Sequence, residues 1–218
     1  MPGLTIALAK GRLLEEARPL LAAAGMALED GDGDGRRLTV PSADAGIEFL
    51  IVRAADVLAY VGYGAAQLGV VGRDLLLEHP SPAVLQELDL GIGRCRLAVA
   101  APRGFDYGAA KRGGGQLTVA TKYRRLARRH LAAAGIQARV IRLYGSMELA
   151  PLVGLADVIV DLVSTGATLQ ANGLEEMEKL LDVSALLVAN KAWSWRHPGR
   201  LDEVAARLRE AGGAGREA

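Results

Sequence analysis
Short runs of consecutive apolar residues alternate along this chain with stretches in which apolar residues return every three or four positions. The runs Leu4 to Ala9, Ile47 to Val52, Gln67 to Gly72, Val84 to Leu90, Cys95 to Ala101, Leu117 to Ala120, Ala138 to Leu143, Val158 to Val160 and Ser184 to Ala189 have the length of buried strands. Between the first two, Leu13, Leu14, Ala17, Leu20, Leu21 and Ala24 fall on one helical face, which Gly25 terminates. Further helices are predicted over Ala54 to Tyr60 (closed by Gly62 and Gly64), Arg73 to Glu78, Tyr123 to Ala134 and Ala167 to Ala171. A last one is marked by Leu201, Val204, Ala205 and Leu208. Gly145-Ser146 reads as the cap of a short helix that contains Glu148 and runs up to Gly154. Residues 102–115 read as loop and Gly212 onward as a frayed tail. Strands alternating with helices predict an α/β fold with mixed, mainly parallel sheets. The glycine-bearing link Gly91-Ile92-Gly93 is the candidate crossing into a second lobe.

The polar residues with chemistry gather where the apolar runs end. Asp161 follows Val158 to Val160, and Ser164, Thr165, Gly166, Ala167 and Thr168 come next, as a helix begins. Such a turn presents backbone N–H groups, hydroxyls and the positive end of a helix dipole to one anion. Gly166 lets the backbone come close to a phosphate. Read alone, a Ser-Thr-Gly here is an ordinary N-cap with no ligand. Lys10-Gly11-Arg12 stands between the first strand and the first helix, at a strand's carboxyl end, where ligands of open α/β sheets bind. As isolated residues, Lys10 and Arg12 fit a solvated surface equally well. Arg53 ends the strand Ile47 to Val52 with Asp56 three residues on, so its guanidinium has either a phosphate or Asp56 to meet. Arg36 and Arg37 precede Leu38 to Val40.

Composition narrows the function by exclusion. Half the residues are hydrophobic, enough for a sizeable core, and a net charge of +1 argues against a nucleic-acid coat. Arg124, Arg125, Arg128, Arg129 and His130 crowd one helix, but no interleaved aromatics support base stacking, so they read as a solvated face. The single cysteine, Cys95, precludes an internal disulfide framework, and no apolar run nears the ~20 residues that span a bilayer. Met1 to Lys10 is too short for a signal peptide, so a cytoplasmic protein without membrane contact is expected. Asp30-Gly31-Asp32-Gly33-Asp34-Gly35 imitates the start of a calcium loop, yet the twelfth position is Pro41, and the segment reads as a flexible loop. The histidines are scattered, and no protein metal site is predicted. No G-x-S-x-G elbow, Walker A or Cys-His pair is present, and Gly62-Tyr63-Gly64 lacks the rest of a dinucleotide fingerprint. What remains is cations and hydroxyls at strand ends, the inventory of a site for a polyanion, where positioning and charge stabilisation do the catalysis.

Taken in order, Leu8-Ala9-Lys10-Gly11-Arg12-Leu13, Arg37-Leu38, Val52-Arg53-Ala54-Ala55-Asp56-Val57, Leu68-Gly69-Val70-Val71-Gly72-Arg73-Asp74, Cys95-Arg96-Leu97, Ala120-Thr121-Lys122-Tyr123, Gly145-Ser146-Met147-Glu148 and Leu155-Ala156-Asp157 through Leu174 resemble ATP phosphoribosyltransferase, short form. Gln67 departs from the acid usual before Leu-Gly-Val in that family. The resemblance implies a two-lobed, type II periplasmic-binding-protein-like fold with the active site in the cleft. Lobe 1 would be residues 1–91 plus 181–218 and lobe 2 residues 92–180, with no C-terminal regulatory domain. It implies a glycosyltransferase that joins N1 of the ATP adenine to C1 of 5-phosphoribosyl 1-pyrophosphate, with magnesium, in the first step of histidine biosynthesis. Glu148, Asp161 and Ser164 to Thr168 would hold phosphoribosyl pyrophosphate. Lys10, Arg12, Arg37 and Arg53 would be catalytic. Gly11, Arg73, Lys122 and Tyr123 would meet ATP. The implied partners are a second copy of the chain and a regulatory subunit resembling histidyl-tRNA synthetase. The rival readings are a non-catalytic small-ligand binding module on the same fold and a degenerate subunit that only assembles.

Overall fold
A computed structural model describes residues 3–29, 37–113 and 115–214. The calcium-like segment Asp30 to Gly35 and Arg36 lie outside the described residues. In chain order the elements are β1 (Leu4–Ala9), α1 (Arg12–Ala23), β2 (Thr39–Pro41), β3 (Ile47–Val52), α2 (Val57–Gly62, after a 3₁₀ turn at Ala54–Asp56), β4 (Leu68–Gly72), α3 (Arg73–Glu78), β5 (Val84–Asp89), β6 (Cys95–Pro102), α4 (Tyr107–Lys111), β7 (Leu117–Thr121), α5 (Arg124–Ala133), β8 (Ala138–Arg142), α6 (Leu149–Leu152), β9 (Val158–Val163), α7 (Ala167–Ala171), β10 (Leu174–Val183), β11 (Ala185–Asn190), α8 (Lys191–Arg196) and α9 (Pro198–Ala214). They form two compact units, Met1–Gly93 with Ser184–Ala218, and Arg94–Val183.

The first unit is built on a six-stranded sheet of order β2-β3-β1-β4-β11-β5. Its central strands bury both faces, as their unbroken apolar runs require. Leu4, Ile6 and Leu8 pack with Leu14, Leu21, Val204 and Leu208, from α1 and α9. Ala7 and Ala9, pointing the other way, pack with Val57, Leu58 and Val61 of α2. β11 divides likewise, with Leu187 among the first group and Leu186 and Val188 among the second.

The second unit carries a five-stranded sheet of order β10-β6-β9-β7-β8. One face holds Ala98, Ala100, Ala120, Ile159 and Val163 against Met147, Ala150 and Leu169. Glu178 of β10 binds α4 and α5 to the sheet, accepting from the Tyr107 hydroxyl at 3.0 Å and Lys111 Nζ at 2.9 Å, with His130 Nε2 3.3 Å away. Burial of the Glu178 carboxyl opposes its ionisation, but the hydrogen bonds from Lys111, Tyr107 and His130 outweigh that and hold its pKa below the usual value.

The fold is α/β with mixed sheets, and several details differ from the sequence reading. Parallel pairs join β1 to β3 and β4, and β7 to β8 and β9, while the other five pairings are antiparallel, so parallel pairing does not predominate. Three of those five arise because β11 returns between β4 and β5 and β10 returns along the edge of β6; the others join β2 to β3 and β6 to β9. β10 itself was not anticipated, since charged residues fill its sequence. Residues 102–115 hold α4, whose N-cap is the Asp106 carboxylate accepting from Ala109 N at 2.9 Å. α8 is likewise new, and α9 extends past Gly212 to Ala214. β9 runs to Val163, so Asp161 lies within a strand, opposite Ala98. Glu148, not Ser146, is the N-cap residue of α6, and it makes no side-chain cap bond.

Candidate active site
In the first unit the parallel strands β3, β1 and β4 end at one edge of the sheet. Ala9 pairs with Val52, and Lys10 N donates to Val52 O at 2.8 Å, so Lys10 and Arg53 leave adjacent strand ends side by side. β2 runs antiparallel to β3, with Thr39 opposite Leu50, which places Arg37 at the same edge just before β2 begins. Arg73 follows β4 there as well. Gly11 makes the turn into α1 at φ 92°, a left-handed conformation that a side chain would strain. Lys10, Arg12, Arg37 and Arg53 are all exposed. Arg12 lies 3.5 Å from Glu16 one helical turn on, a weak surface pair. Among the described residues Lys10, Arg37 and Arg53 have no ion-pair partner, and the alternative pairing of Arg53 with Asp56 is not formed. Arg73 differs: its guanidinium sits 2.8 Å from Asp89 Oδ2, which also accepts from the Ser184 hydroxyl at 2.8 Å.

In the second unit β8, β7 and β9 are parallel and end at one edge too. Lys122 follows β7, and its Nζ is 4.0 Å from Asp161 Oδ1 on β9. Beyond β9, Ser164, Thr165 and Thr168 are exposed, and Gly166 turns the chain into α7 at φ 83°. The Thr165 hydroxyl accepts from Ala167 N at 3.3 Å, and no side chain caps the helix. Ala167 N is thus engaged within the loop, and the exposed Ser164 and Thr168 carry hydroxyls that can donate to an anion. Met147, next to Glu148, and Leu169 of α7 belong to one core cluster. Tyr123 is the exception here. Its N–H donates to the Thr121 hydroxyl at 2.9 Å and its ring is 1% exposed, under Lys122 Nζ. Tyr123 therefore belongs to the core.

Both edges thus present phosphate-binding chemistry at the carboxyl ends of parallel strands. The model of the ATP phosphoribosyltransferase family matches residues 53–210. Curated ATP phosphoribosyltransferases of Burkholderia vietnamiensis and Burkholderia mallei are each 54% identical over 189 residues, 87% of this chain and 87% of theirs. The chain belongs to the ATP phosphoribosyltransferase family. Its reaction is that of the family, transfer of a phosphoribosyl group to ATP in the first step of histidine biosynthesis. Among solved structures, a chain of the ATP phosphoribosyl transferase (HisG:HisZ) complex from Thermotoga maritima aligns over 97% of this chain and 99% of its own, at 29% identity and a TM-score of 0.80. The periplasmic aliphatic sulphonate binding protein of Escherichia coli aligns over 100% of this chain and 70% of its own, at 14% identity and a TM-score of 0.64, a likeness of fold alone. The reading as a non-catalytic binding module is not favoured.

One feature of this phosphoribosyltransferase carried no role in the sequence reading. Arg96, seen only within the motif Cys95-Arg96-Leu97, binds Glu176 of β10 and donates to the Ser164 carbonyl at 3.0 Å. The Glu176 hydrogen bond dominates over burial and raises the Arg96 pKa further, so the guanidinium stays charged. A lone arginine at the head of an apolar strand was the only signal for it in the sequence.

Proposed function
We propose that the two edges divide the work on phosphoribosyl pyrophosphate. The loop Ser164–Thr168 holds the 5-phosphate with backbone N–H groups and hydroxyls. Asp161 and Glu148 accept from the ribose hydroxyls. Lys10, Arg12, Arg37 and Arg53 meet the pyrophosphate. Gly11 and Lys122 lie against ATP. Arg73, committed to Asp89, and Tyr123, buried in the core, are left out of the ATP site. The observation that carries this reading is that Lys10, Arg37 and Arg53 stand exposed at one sheet edge of the first unit, without ion-pair partners among the described residues, while the second unit carries the family's hydroxyl-rich loop at Ser164–Thr168.

The chemistry follows from where charge develops. N1 of the adenine brings its lone pair to C1, and the C1–O bond breaks with its electrons passing to pyrophosphate. N1 has no proton to lose, so no strong base is required. The leaving group gains negative charge as the bond breaks, and cations fixed at that position stabilise the transition state more than the bound substrate. Arg53 is suited to this, since a guanidinium reaches two phosphate oxygens with parallel hydrogen bonds. Magnesium supplies charge neutralisation on the pyrophosphate. Among the described residues no group of three or more His, Cys, Asp and Glu side chains is placed to cage a metal. Magnesium would take phosphate oxygens of the substrate among its ligands, the usual arrangement for this ion.

The Thermotoga maritima relative comes from a HisG:HisZ complex, which supports assembly of this chain with a corresponding regulatory subunit. That this subunit resembles histidyl-tRNA synthetase, and that the chain also pairs with a second copy of itself, are further parts of the proposal. No helix among the described residues is long and apolar enough to cross a membrane. A cytoplasmic location is part of the proposal. The test is to mix the purified chain with ATP, phosphoribosyl pyrophosphate and magnesium and follow the absorbance of phosphoribosyl-ATP, with and without histidine. Turnover that histidine leaves unchanged until the regulatory subunit is added is the expected result. Strong inhibition of the chain alone would contradict the assignment of regulation to a second subunit.

A further inference from the structure
We infer that Arg96 is a positioning residue for the Ser164–Thr168 loop and that Glu176 is what aims it. This rests on the reading of that loop as the holder of the 5-phosphate. Arg96 lies on β6 opposite Val163, the last residue of β9, one position before the loop. Its Nε donates to Glu176 Oε1 at 3.0 Å and Oε2 at 2.8 Å, and its Nη2 lies 2.7 Å from Oε2. The fork of the guanidinium is thereby locked against one carboxylate, and the remaining Nη1 donates to the Ser164 carbonyl at 3.0 Å.

The consequence reaches the phosphate through one peptide plane. A trans peptide is rigid, with its N–H directed opposite to its C=O. Holding the Ser164 carbonyl against Arg96 therefore turns the Thr165 N–H away from Arg96 and fixes its direction. The Thr165 hydroxyl then accepts from Ala167 N at 3.3 Å, and Gly166 between them takes its left-handed turn. Arg96 needs no contact with substrate to matter. It sets the donors of the loop before the phosphate arrives, which spares the ordering cost at binding. The Arg96 and Glu176 side chains are 34% and 26% exposed, so the pair is partly shielded from water and salt.

The test compares Arg96→Ala, Arg96→Lys and Glu176→Gln with Thr168→Ala, measuring affinity for phosphoribosyl pyrophosphate and for ATP by separate titrations, with a melting curve on each variant. Arg96→Ala should weaken phosphoribosyl pyrophosphate about tenfold, the loss of one charge-assisted hydrogen bond. Arg96→Lys should recover part of that, and Glu176→Gln should weaken the same substrate while touching it nowhere. ATP affinity should stay at the wild-type value in all of them. Should Arg96→Ala fail to fold, Arg96→Lys and Glu176→Gln carry the test. Wild-type affinity in those two beside a weakened Thr168→Ala would overturn the positioning role and leave the loop reading intact. Wild-type affinity in Thr168→Ala as well would overturn the loop reading. Equal loss for both substrates, in step with lost melting temperature, would make Arg96 a merely structural residue.

Discussion
The two strand edges proposed to hold phosphate are built in opposite ways. At the edge of β3, β1 and β4, Lys10, Arg37 and Arg53 stand exposed and without ion-pair partners among the described residues. At the edge of β7 and β9, the donors are hydroxyls and backbone N–H groups, and the loop that carries them is tied at its first carbonyl by Arg96. Free cations on long side chains suit a group whose charge and position change during the reaction. A tethered loop suits a group that stays where it was bound. The contrast fits the proposal that the charge-gaining pyrophosphate meets the first edge and the spectator 5-phosphate the second. Arg73 marks the limit of the rule, since it sits at the first edge yet is held by Asp89.

Breaking the first edge should have the largest effect. Arg53→Ala is expected to slow the chemical step by about 10²–10³, the range for removing one stabilising donor. Its melting temperature should stay near wild type, because the exposed guanidinium has no ion pair to lose. Single-turnover kinetics beside a melting curve checks both statements.

Breaking the second edge should act on binding. Thr168→Ala is expected to weaken phosphoribosyl pyrophosphate by about 1.5–3 kcal/mol, the worth of a hydrogen bond to a charged group. Gly166→Val should do the same through the backbone, since φ 83° costs a side-chain-bearing residue roughly 1–2 kcal/mol. Calorimetric titration of both variants against phosphoribosyl pyrophosphate is the check, with circular dichroism to show that they remain folded.

The sharpest control is the smallest effect. Arg73→Ala should leave ATP affinity unchanged and cost only about 0–1 kcal/mol of stability, as for other half-exposed ion pairs. A clear loss of ATP binding in that variant would return Arg73 to the site and weaken the distinction between paired and unpaired cations.

How much of this was legible in the sequence depended on how far each signal reached along the chain. β1 could be read because Leu4, Ile6 and Leu8 on one face and Ala7 and Ala9 on the other are all buried, leaving an unbroken apolar run. Lys10 and Arg53 could be placed because each directly follows such a run, and Gly11 and Arg12 because they come next after Lys10. β10 could not, since Glu175, Glu176, Glu178, Lys179 and Asp182 fill it and two register shifts break its period of two. α4 is only five residues long, too short for a helical period to emerge. The tie at Arg96 was hidden for another reason. Its partners lie 80 and 68 positions away, and only the pairing of β6 with β9 and β10 brings them together. The burial of Tyr123 was not legible either, because an aromatic next to a lysine at a strand end looks the same whether the ring covers a ligand or fills the core.

The division of labour is tested most directly by measuring, in Arg53→Ala and Thr168→Ala side by side, the affinity for phosphoribosyl pyrophosphate and the single-turnover rate at saturation. The account predicts a crossed result. Arg53→Ala should lose mainly rate and Thr168→Ala mainly affinity, because one contact strengthens as the C1–O bond breaks and the other does not change. Loss of the same parameter to the same extent in both variants would contradict it, and the two edges would then have no separate roles.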